Sequence, residues 1–204
     1  MVPVTIAVPG TSGGDSLLSD RDLKIALASG RIAIDPSADL DSRLGPDSLD
    51  FRLGSEVLVF ERNAEPYIDP RREETAAGTT RVVALGPNEP FIIQPQQLVL
   101  ATTLERLRLG EDVVGRLEGR SSLGRLGIIV HSTASLFHPG WDGHPAMELG
   151  NLGVMPVALY PGMRICAFTF TALSSPAERP YGCRPTDKYA GQSAALASRI
   201  WDDV

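Results

Sequence analysis

Residues 45–54 read GPDSLDFRLG, and within this stretch the apolar residues fall on every second position. Leu49, Phe51 and Leu53 would lie on one face of an extended segment, with Asp50 and Arg52 on the other. A period of two is typical of a β-strand with one buried and one polar face. The stretch therefore predicts one strand of a half-buried sheet.

Short apolar runs bounded by glycine, proline or asparagine continue this pattern along the chain. They are FIIQPQQLVLATTLERLRL (91–109), VVGRLEG (113–119), LGIIVHSTASLF (126–137), PAMELGN (145–151) and PVALYPGMRICAFTFTAL (156–173). The 204 residues include 20 glycines and 16 prolines, which favours short strands joined by turns. Pro161 and Gly162 suit the centre of a type II turn. We predict a mainly β fold, a sandwich or a barrel.

One segment has the signals of a helix, LLSDRDLKIALASG at 17–30. Ser19 is placed as the N-cap, with Asp22 three residues later to complete a capping box. Leu18 and Leu23 are placed as a hydrophobic staple, and Gly30 is a stop signal. We expect this short N-terminal helix to pack Leu23 and Leu27 on the sheet.

The chain is long enough for one sizeable core, and its composition predicts a single folded domain. We divide it into an N-terminal arm at 1–16, a β domain at 17–173 and a tail at 174–204, where apolar periodicity is lost. The charged, proline-broken segment 61–80 predicts a long exposed loop.

The formal net charge of −6 argues against nucleic acid or an anionic membrane as the main partner, since both need a basic face. Two cysteines, Cys166 and Cys183, are too few for a disulfide framework, so a reducing compartment is expected. We find no basic leader and no apolar run of the roughly 20 residues that span a bilayer. The sequence therefore predicts a soluble cytoplasmic protein.

The stretch GRSSLGRLG at 119–127 is the first candidate binding site. Its glycines allow close approach of the backbone to a ligand, and its arginines carry forked cationic donors that suit phosphate oxygens. The serines add hydroxyl groups, so the set fits a small polyanion. An ordinary turn with an N-cap serine and two solvated arginines explains the same residues about equally well.

Glu148 is a candidate general acid or base. On a strand at 146–149, Met147 and Leu149 would face one side, and Ala146 and Glu148 the other. A carboxyl in a short, mostly apolar segment can be tuned by burial for proton transfer near neutral pH. The alternative is a glutamate on the solvated face of the sheet.

Two further segments could contact a ligand. In HPGWDG (138–143), Trp141 offers a flat surface to a base or sugar, or it belongs to the core. The tail carries Tyr181, Lys188, Tyr189 and Gln192, which suit a lid over phosphates, or a frayed terminus. His131, His138 and His144 lack carboxylate or cysteine partners at ligand spacing, so no structural metal is predicted.

Taken together, these motifs resemble the dCTP deaminase family of the trimeric dUTPase superfamily. The likeness runs through LLSDRDLKIALASGRIAIDP (17–36), DSLDFRLG (47–54), GRSSLGRLGIIVHSTA (119–134), HPGWDGHPAMELGN (138–151), LYPGMRI (159–165) and the tail motifs RPYG and DKYAGQ. The resemblance implies a distorted jelly-roll-like β-barrel, a homotrimer and active sites at subunit interfaces.

The resemblance also implies roles for individual residues. Glu148 matches the general base that activates water for attack on C4 of cytosine, supported by Ser121 and Arg125. Substrate-binding positions would be Arg120, Ser122, Ser132, Thr133, Ala134, His138, Trp141, Tyr181, Lys188, Tyr189 and Gln192. The triphosphate contacts of the family are matched by Arg120 and Ser122 and, in the tail, by Lys188, Tyr189 and Gln192, and Mg²⁺ would be bound through the phosphates. The zinc deaminase signature, H-x-E with P-C-x-x-C, is absent from the sequence, so no zinc is expected.

His138 departs from the family pattern, in which Asp usually occupies this turn. Histidine cannot supply the charge of a carboxylate there. The pair Leu136 and Phe137 also lacks the arginine of some monofunctional deaminases, which brings the sequence closer to the bifunctional type. Deamination of dCTP to dUTP is the first hypothesis. A bifunctional enzyme giving dUMP, and a paralogue with altered specificity or without catalysis, are the alternatives.

Overall fold

The computed structural model describes residues 16–203. Its helices are α1 (Asp20–Ala28), α2 (Leu40–Arg43) and α3 (Ser121–Gly124), with 3₁₀ turns at Glu73–Ala76 and Ile200–Asp203. Its strands are β1 (Ser16–Leu17), β2 (Ile32–Asp35), β3 (Ser48–Phe60), β4 (Thr80–Ala84), β5 (Phe91–Ile93), β6 (Leu98–Thr103), β7 (Arg106–Leu109), β8 (Val113–Gly119), β9 (Ile128–Ile129), β10 (Leu136–Phe137), β11 (Asp142–Gly143), β12 (Ala146–Asn151), β13 (Val157–Leu159) and β14 (Arg164–Ala172). The prediction of a mainly β fold is confirmed.

The N-terminal helix begins and ends as its capping signals predict. The Ser19 hydroxyl accepts a hydrogen bond from the amide of Asp22 and donates one to its carboxylate. Leu23 is buried against the sheet, and Gly30 follows the last turn with a φ of 72°. The helix therefore has the structural role expected for it.

The large sheet has nine strands, and β3 is the strand that curls it. The order is β10-β8-β14-β3-β6-β12-β9, with β1 beside β14 and β4 beside β3. The first half of β3 pairs with β14, and its second half pairs with β6 and β4. The register shifts between Leu53 and Val57, beside Gly54, where a Cβ would lie 2.9 Å from the carbonyl oxygen of Thr102. The long strand thus changes partners midway, and the sheet closes into a half-barrel.

Aromatic side chains fill the centre of the core and extend to its edge. Phe51, completely buried on β3 as the period of two predicts, lies 4.7 Å from Phe168 between ring centroids. Phe168 lies 5.1 Å from Phe137, and Phe137 lies 5.0 Å from Trp141 in an edge-to-face pair. Such pairs add to the stability that area burial provides. The chain of rings fixes Trp141 at the border of the core.

Two smaller sheets, β11-β7-β2 and β13-β5, complete the described strands. The predicted turn at Pro161 and Gly162 is confirmed: Gly162 has a φ of 78°, and the amide of Met163 donates to the carbonyl of Tyr160. The turn does not form a hairpin, because β13 pairs with β5 and β14 pairs with β3 and β8.

Segment 61–79 is a loop, as predicted, although it is internally bonded. Asn63 donates through its side-chain amide to the carbonyls of Thr75 and Ala77, and Thr75 is buried. Residues 1–15 of the predicted arm lie outside the described part, and Ser16 belongs to β1. Between residues 16 and 203 no helix is both long and apolar enough to cross a bilayer.

Candidate active site

A cavity of about 580 Å³ lies between β12, the segment after β9 and the C-terminal tail. Several residues singled out in the sequence line it together: Ser132, Thr133, Ala134, His138, Trp141, Glu148, Tyr181, Tyr189 and Gln192. A volume of this size is typical of small-molecule sites. The cavity is therefore the candidate active site.

Glu148 reaches the cavity because of the alternation along β12. Met147 and Leu149 are completely buried on the core side of this strand, whereas Glu148 is partly exposed on the other side. The two faces are those predicted from the sequence. The carboxylate thus meets the cavity without being enclosed in the core.

Two main-chain amides hold one oxygen of this carboxylate. Oε2 of Glu148 accepts hydrogen bonds from the amides of Ser132 at 2.7 Å and Thr133 at 3.2 Å. The amide of Glu148 donates to the carbonyl of Val130, which fixes the register of the two segments. Within residues 16–203 no group donates to Oε1. The arrangement orients the carboxylate and leaves one oxygen available to accept a proton.

Aromatic rings form one wall of the cavity. Trp141 is 6% exposed, and its ring centroid lies 5.4 Å from that of Tyr181. The ring of Tyr181 also stacks on that of His138, with centroids 5.8 Å apart and planes inclined by 20°. His138 is exposed at the edge of the site. A planar heterocycle could therefore pack beside these rings.

The tail is hydrogen-bonded to the HPGWDG turn and to His144, the residue that follows it. The amide of Tyr181 donates to the carbonyl of Pro139 at 2.7 Å, and Gln192 exchanges two hydrogen bonds of 2.9 Å with the main chain of His144. A Cβ at Gly140 would lie 2.6 Å from Cβ of Pro180, and one at Gly143 would lie 2.9 Å from the carbonyl oxygen of Gln192. The two glycines therefore permit the tail to lie directly on the turn.

Within the tail, side-chain hydroxyls accept bonds from the main chain. The phenol of Tyr181 accepts from the amide of Tyr189 at 3.2 Å, and that of Tyr189 accepts from the amide of Arg199 at 3.1 Å. Burial raises the pKa of the Tyr181 phenol, which stays protonated. Lys188 does not line the cavity and is paired with Asp203 near the C-terminus.

The glycine- and serine-rich motif lies outside the cavity. Ser121 and Ser122 begin α3, and Arg125 follows it; all three are exposed. Arg120 precedes the helix and pairs with Asp50 at 3.2 Å. Within one chain, then, these residues are not brought beside Glu148, and their assignment to its site stays a prediction.

An apolar wall of the cavity escaped the sequence analysis. It includes Phe60, Leu98, Leu100, Leu136 and Leu196. The run LVLA at 98–101 carried a signal, because apolar residues at both odd and even positions indicate that both faces of a strand are covered. The wall adds an apolar surface to the cavity, and Leu196 is the residue of the wall that belongs to the tail.

The three histidines have different contacts. Nδ1 of His131 is buried without a partner among the described residues, and Nδ1 of His144 lies 3.1 Å from the carbonyl oxygen of Thr103. In the described part of the chain, no group of three or more His, Cys, Asp or Glu side chains is placed to hold a metal ion.

Known proteins resemble this chain along most of its length. A family model described as dCTP deaminase-like matches residues 17–173. The chain is 53% identical to a dCTP deaminase of Thermomicrobium roseum over 92% of this chain and 95% of that one. It is 48% identical to a dUMP-forming dCTP deaminase of Thermobifida fusca, over 91% of this chain and 93% of that one.

A solved structure of a 2′-deoxycytidine 5′-triphosphate deaminase from Agrobacterium tumefaciens has a similar fold, with a TM-score of 0.60 and 20% identity. The match covers 78% of this chain and 47% of that protein, so this chain spans about half its length. From the match of the family model and the identity to its curated relatives, the chain belongs to the dCTP deaminase family.

Proposed function

We propose that this protein hydrolyses dCTP to dUTP and ammonia. The membership in the family and the names of its relatives support this substrate and reaction. The single observation that carries the proposal is the carboxylate of Glu148, oriented by two amides at a cavity of suitable size. An oriented base is what the attack of water on a cytosine ring requires.

In the proposed reaction, Glu148 acts as the general base. Its free oxygen, Oε1, takes a proton from water as the water oxygen attacks C4 of the cytosine. The protonated carboxyl then gives that proton to the departing amino group, which leaves as ammonia. The amides of Ser132 and Thr133 hold Oε2 throughout, so the carboxyl keeps its orientation while its charge changes.

The rings and the apolar wall would bind the base and the sugar. Trp141 and Tyr181 offer flat surfaces, and Leu100 faces the cavity from the strand that pairs with β12. These surfaces exclude water from the ring, which strengthens the electrostatic effect of the carboxylate. Stacking on the aromatic side chains, as well as hydrogen bonds, would recognise the cytosine ring.

We infer that a homotrimer completes the site. The predicted phosphate ligands Arg120 and Ser122 lie outside the cavity of their own chain, so a second copy would have to supply them. Large apolar side chains are exposed on the segment after β12: Leu152 (73%), Val154 (89%) and Met155 (69%). Exposed apolar groups of this kind favour association.

Mixing two inactive variants tests this shared site. Glu148→Gln and Arg125→Met are each expected to lose activity as pure proteins. If the two residues act from different chains, subunit exchange between the variants restores activity at interfaces with both residues intact. No recovery after exchange, verified by mass measurement of mixed trimers, would place both groups in one chain or remove Arg125 from the site.

The substrate would enter as its Mg²⁺ complex, with the ion bound by the phosphates. We propose that no zinc takes part, because suitable ligands are not brought together between residues 16 and 203. Cys166 is completely buried, and in the described part of the chain no three His, Cys, Asp or Glu side chains are grouped to hold an ion. Cys183 is exposed on the tail.

A second activity, hydrolysis of dUTP to dUMP and pyrophosphate, has its own support. The relatives from Thermobifida fusca and Methanosphaera stadtmanae are named dUMP-forming, the latter at 43% identity. His138, at the edge of the cavity, replaces the acidic residue expected for that chemistry. Pyrophosphate released in step with ammonia would establish the bifunctional reaction.

The main test compares Glu148→Gln with Glu56→Gln, an exposed glutamate on β3 outside the cavity. With dCTP and Mg²⁺, loss of cytosine absorbance measures deamination. We expect the wild type and Glu56→Gln to turn over at equal rates, and Glu148→Gln to lose about 10²- to 10⁴-fold in kcat. An inactive wild type, or a fully active Glu148→Gln, would refute the proposal.

A further inference from the structure

Asp50 connects two arginines on the side of the large sheet beside α3. Its Oδ2 lies 3.2 Å from Nη2 of Arg120 and 3.5 Å from Nη1 of Arg164. Nη1 of Arg120 also donates to the carbonyl of Arg164 at 3.1 Å. The guanidinium of Arg120 is thus held from two directions.

This contact depends on the order of the strands. Ala167 on β14 pairs with Asp50 of β3 on one side and with Glu118 of β8 on the other. The side chain of Arg120, just after β8, therefore reaches across β14 to the next strand. Two strands that are far apart in sequence fix one side chain.

Arg120 keeps the capacity to bind an anion in this arrangement. A guanidinium has five N–H donors, and these contacts use one from each terminal nitrogen. The side chain of Arg120 is 32% exposed, so its other donors can reach a ligand. The next residues are Ser121 and Ser122, which are both exposed on the same short segment.

The shared carboxylate also sets the charge of the cluster. One negative charge faces two guanidinium groups, and the side chain of Arg164 is 40% exposed. Because Arg164 competes for the same oxygen, Asp50 does not neutralise Arg120 completely. The two arginines and one acid carry a surplus positive charge.

We propose that Asp50 is a positioning residue of the phosphate site, holding Arg120 in the orientation that binds the nucleotide's phosphate chain. Arg164 leaves part of the positive charge of Arg120 available by sharing the carboxylate. This inference rests on the proposed function, since it concerns the phosphate chain of the same substrate. Asp50 itself does not contact the substrate.

The test separates binding from chemistry. Asp50→Ala is expected to raise KM for dCTP about tenfold while kcat changes less than about twofold, because a charge-assisted bond that orients one phosphate ligand is lost. Asp50→Asn, which keeps the shape of the side chain and part of its hydrogen bonding, is expected to fall between Asp50→Ala and wild type. Asp112→Asn is the matched control, since Asp112 forms a comparable pair with Arg31 at 2.9 Å on another part of the surface.

A double-mutant cycle tests whether Asp50 acts on KM through Arg120. In an Arg120→Met background, Asp50→Asn is expected to have no further effect on KM. Calorimetry with inorganic tripolyphosphate gives a readout independent of turnover, and thermal unfolding verifies that each variant is folded. Asp50→Ala should weaken tripolyphosphate binding to the same degree as it raises KM.

The outcomes distinguish the two proposals. If the wild type deaminates dCTP but KM is unchanged in both Asp50 variants, or the effects of Asp50 and Arg120 are additive, the positioning role is wrong and the proposed function stands. A wild type that neither binds tripolyphosphate nor converts dCTP would overturn both.

Discussion

Glu105 and Arg43 form an ion pair of 3.0 Å in which the side chains are 0% and 2% exposed. Arg52 donates to the same carboxylate from its Nε at 2.6 Å and from its main-chain amide at 2.8 Å. Burial lowers the pKa of the Arg43 guanidinium, and Glu105 opposes that effect. One buried acid therefore pairs with two cations and ties α2 to strand β3 of the large sheet.

Removing this acid should destabilise the protein strongly. In Glu105→Gln the buried Arg43 loses its counter-charge, and the expected loss is about 3–5 kcal/mol in the free energy of unfolding. Urea denaturation measures it. The control is Glu61→Gln, which breaks a solvent-exposed pair with Arg81 and should cost less than about 1 kcal/mol. Equal losses in the two variants would contradict the buried role of Glu105.

The residue at 138 should set the ratio of products. His138→Asp would place a carboxylate at the edge of the cavity, where it can orient a second water. We expect pyrophosphate released per ammonia to rise about tenfold or more. His138→Asn, an uncharged side chain of the same shape as aspartate, should leave the ratio low. If both variants keep the ratio of the wild type, position 138 does not govern phosphate hydrolysis.

The hydroxyl of Tyr181 should control how firmly the tail is closed. Tyr181→Phe removes the acceptor of the Tyr189 amide, and one hydrogen bond of this kind contributes about 0.5–1.5 kcal/mol. We expect KM for dCTP to rise roughly 2- to 10-fold, with faster amide exchange at 182–192. Tyr160→Phe, at an exposed turn, is the control. The same kinetics in both variants would exclude the role of Tyr181.

Cys166 should weaken the fold in alkaline solution. Burial, and then the charges of Glu105 and Asp50, raise the pKa of this thiol in the native state. The unfolded thiol ionises near pH 8.5, so above that pH the unfolded chain releases a proton that the native chain keeps. Stability is then lost as pH rises, by up to about 1.4 kcal/mol per pH unit.

Urea unfolding between pH 7 and 10 tests this dependence. Cys166→Ala should show a shallower alkaline decline than the wild type, whatever its stability at pH 7. Cys183→Ala, which changes an exposed thiol, should keep the decline of the wild type. A decline that is identical in all three proteins would show that another group causes it.

Local patterns in the sequence predicted the local features of the structure. The cap of α1 and the buried face of β3 follow from contacts within a few residues, and both are confirmed. The face of Glu148 follows from strand alternation in the same way. Each of these depends on the geometry of one element, which a period or a capping motif describes.

Contacts between distant elements were not accessible in the same way. The pair of Asp50 and Arg120 requires β14 to lie between β3 and β8, and no local period encodes that order. The tail is held largely by main-chain hydrogen bonds. Such bonds require no particular side chains, so the sequence carries no pattern that predicts them. The separation of α3 from the cavity could not be predicted either. Motifs that together characterise a family need not lie close to one another within one chain.

Because Gly140 and Gly143 have no side chains, the tail can lie directly on the backbone of the turn. Displacement of the tail from the turn would break the bonds to Pro139 and His144. A side chain at either glycine would collide with the tail and push it away from the turn. Two positions without side chains thereby decide how closely the tail can approach the cavity.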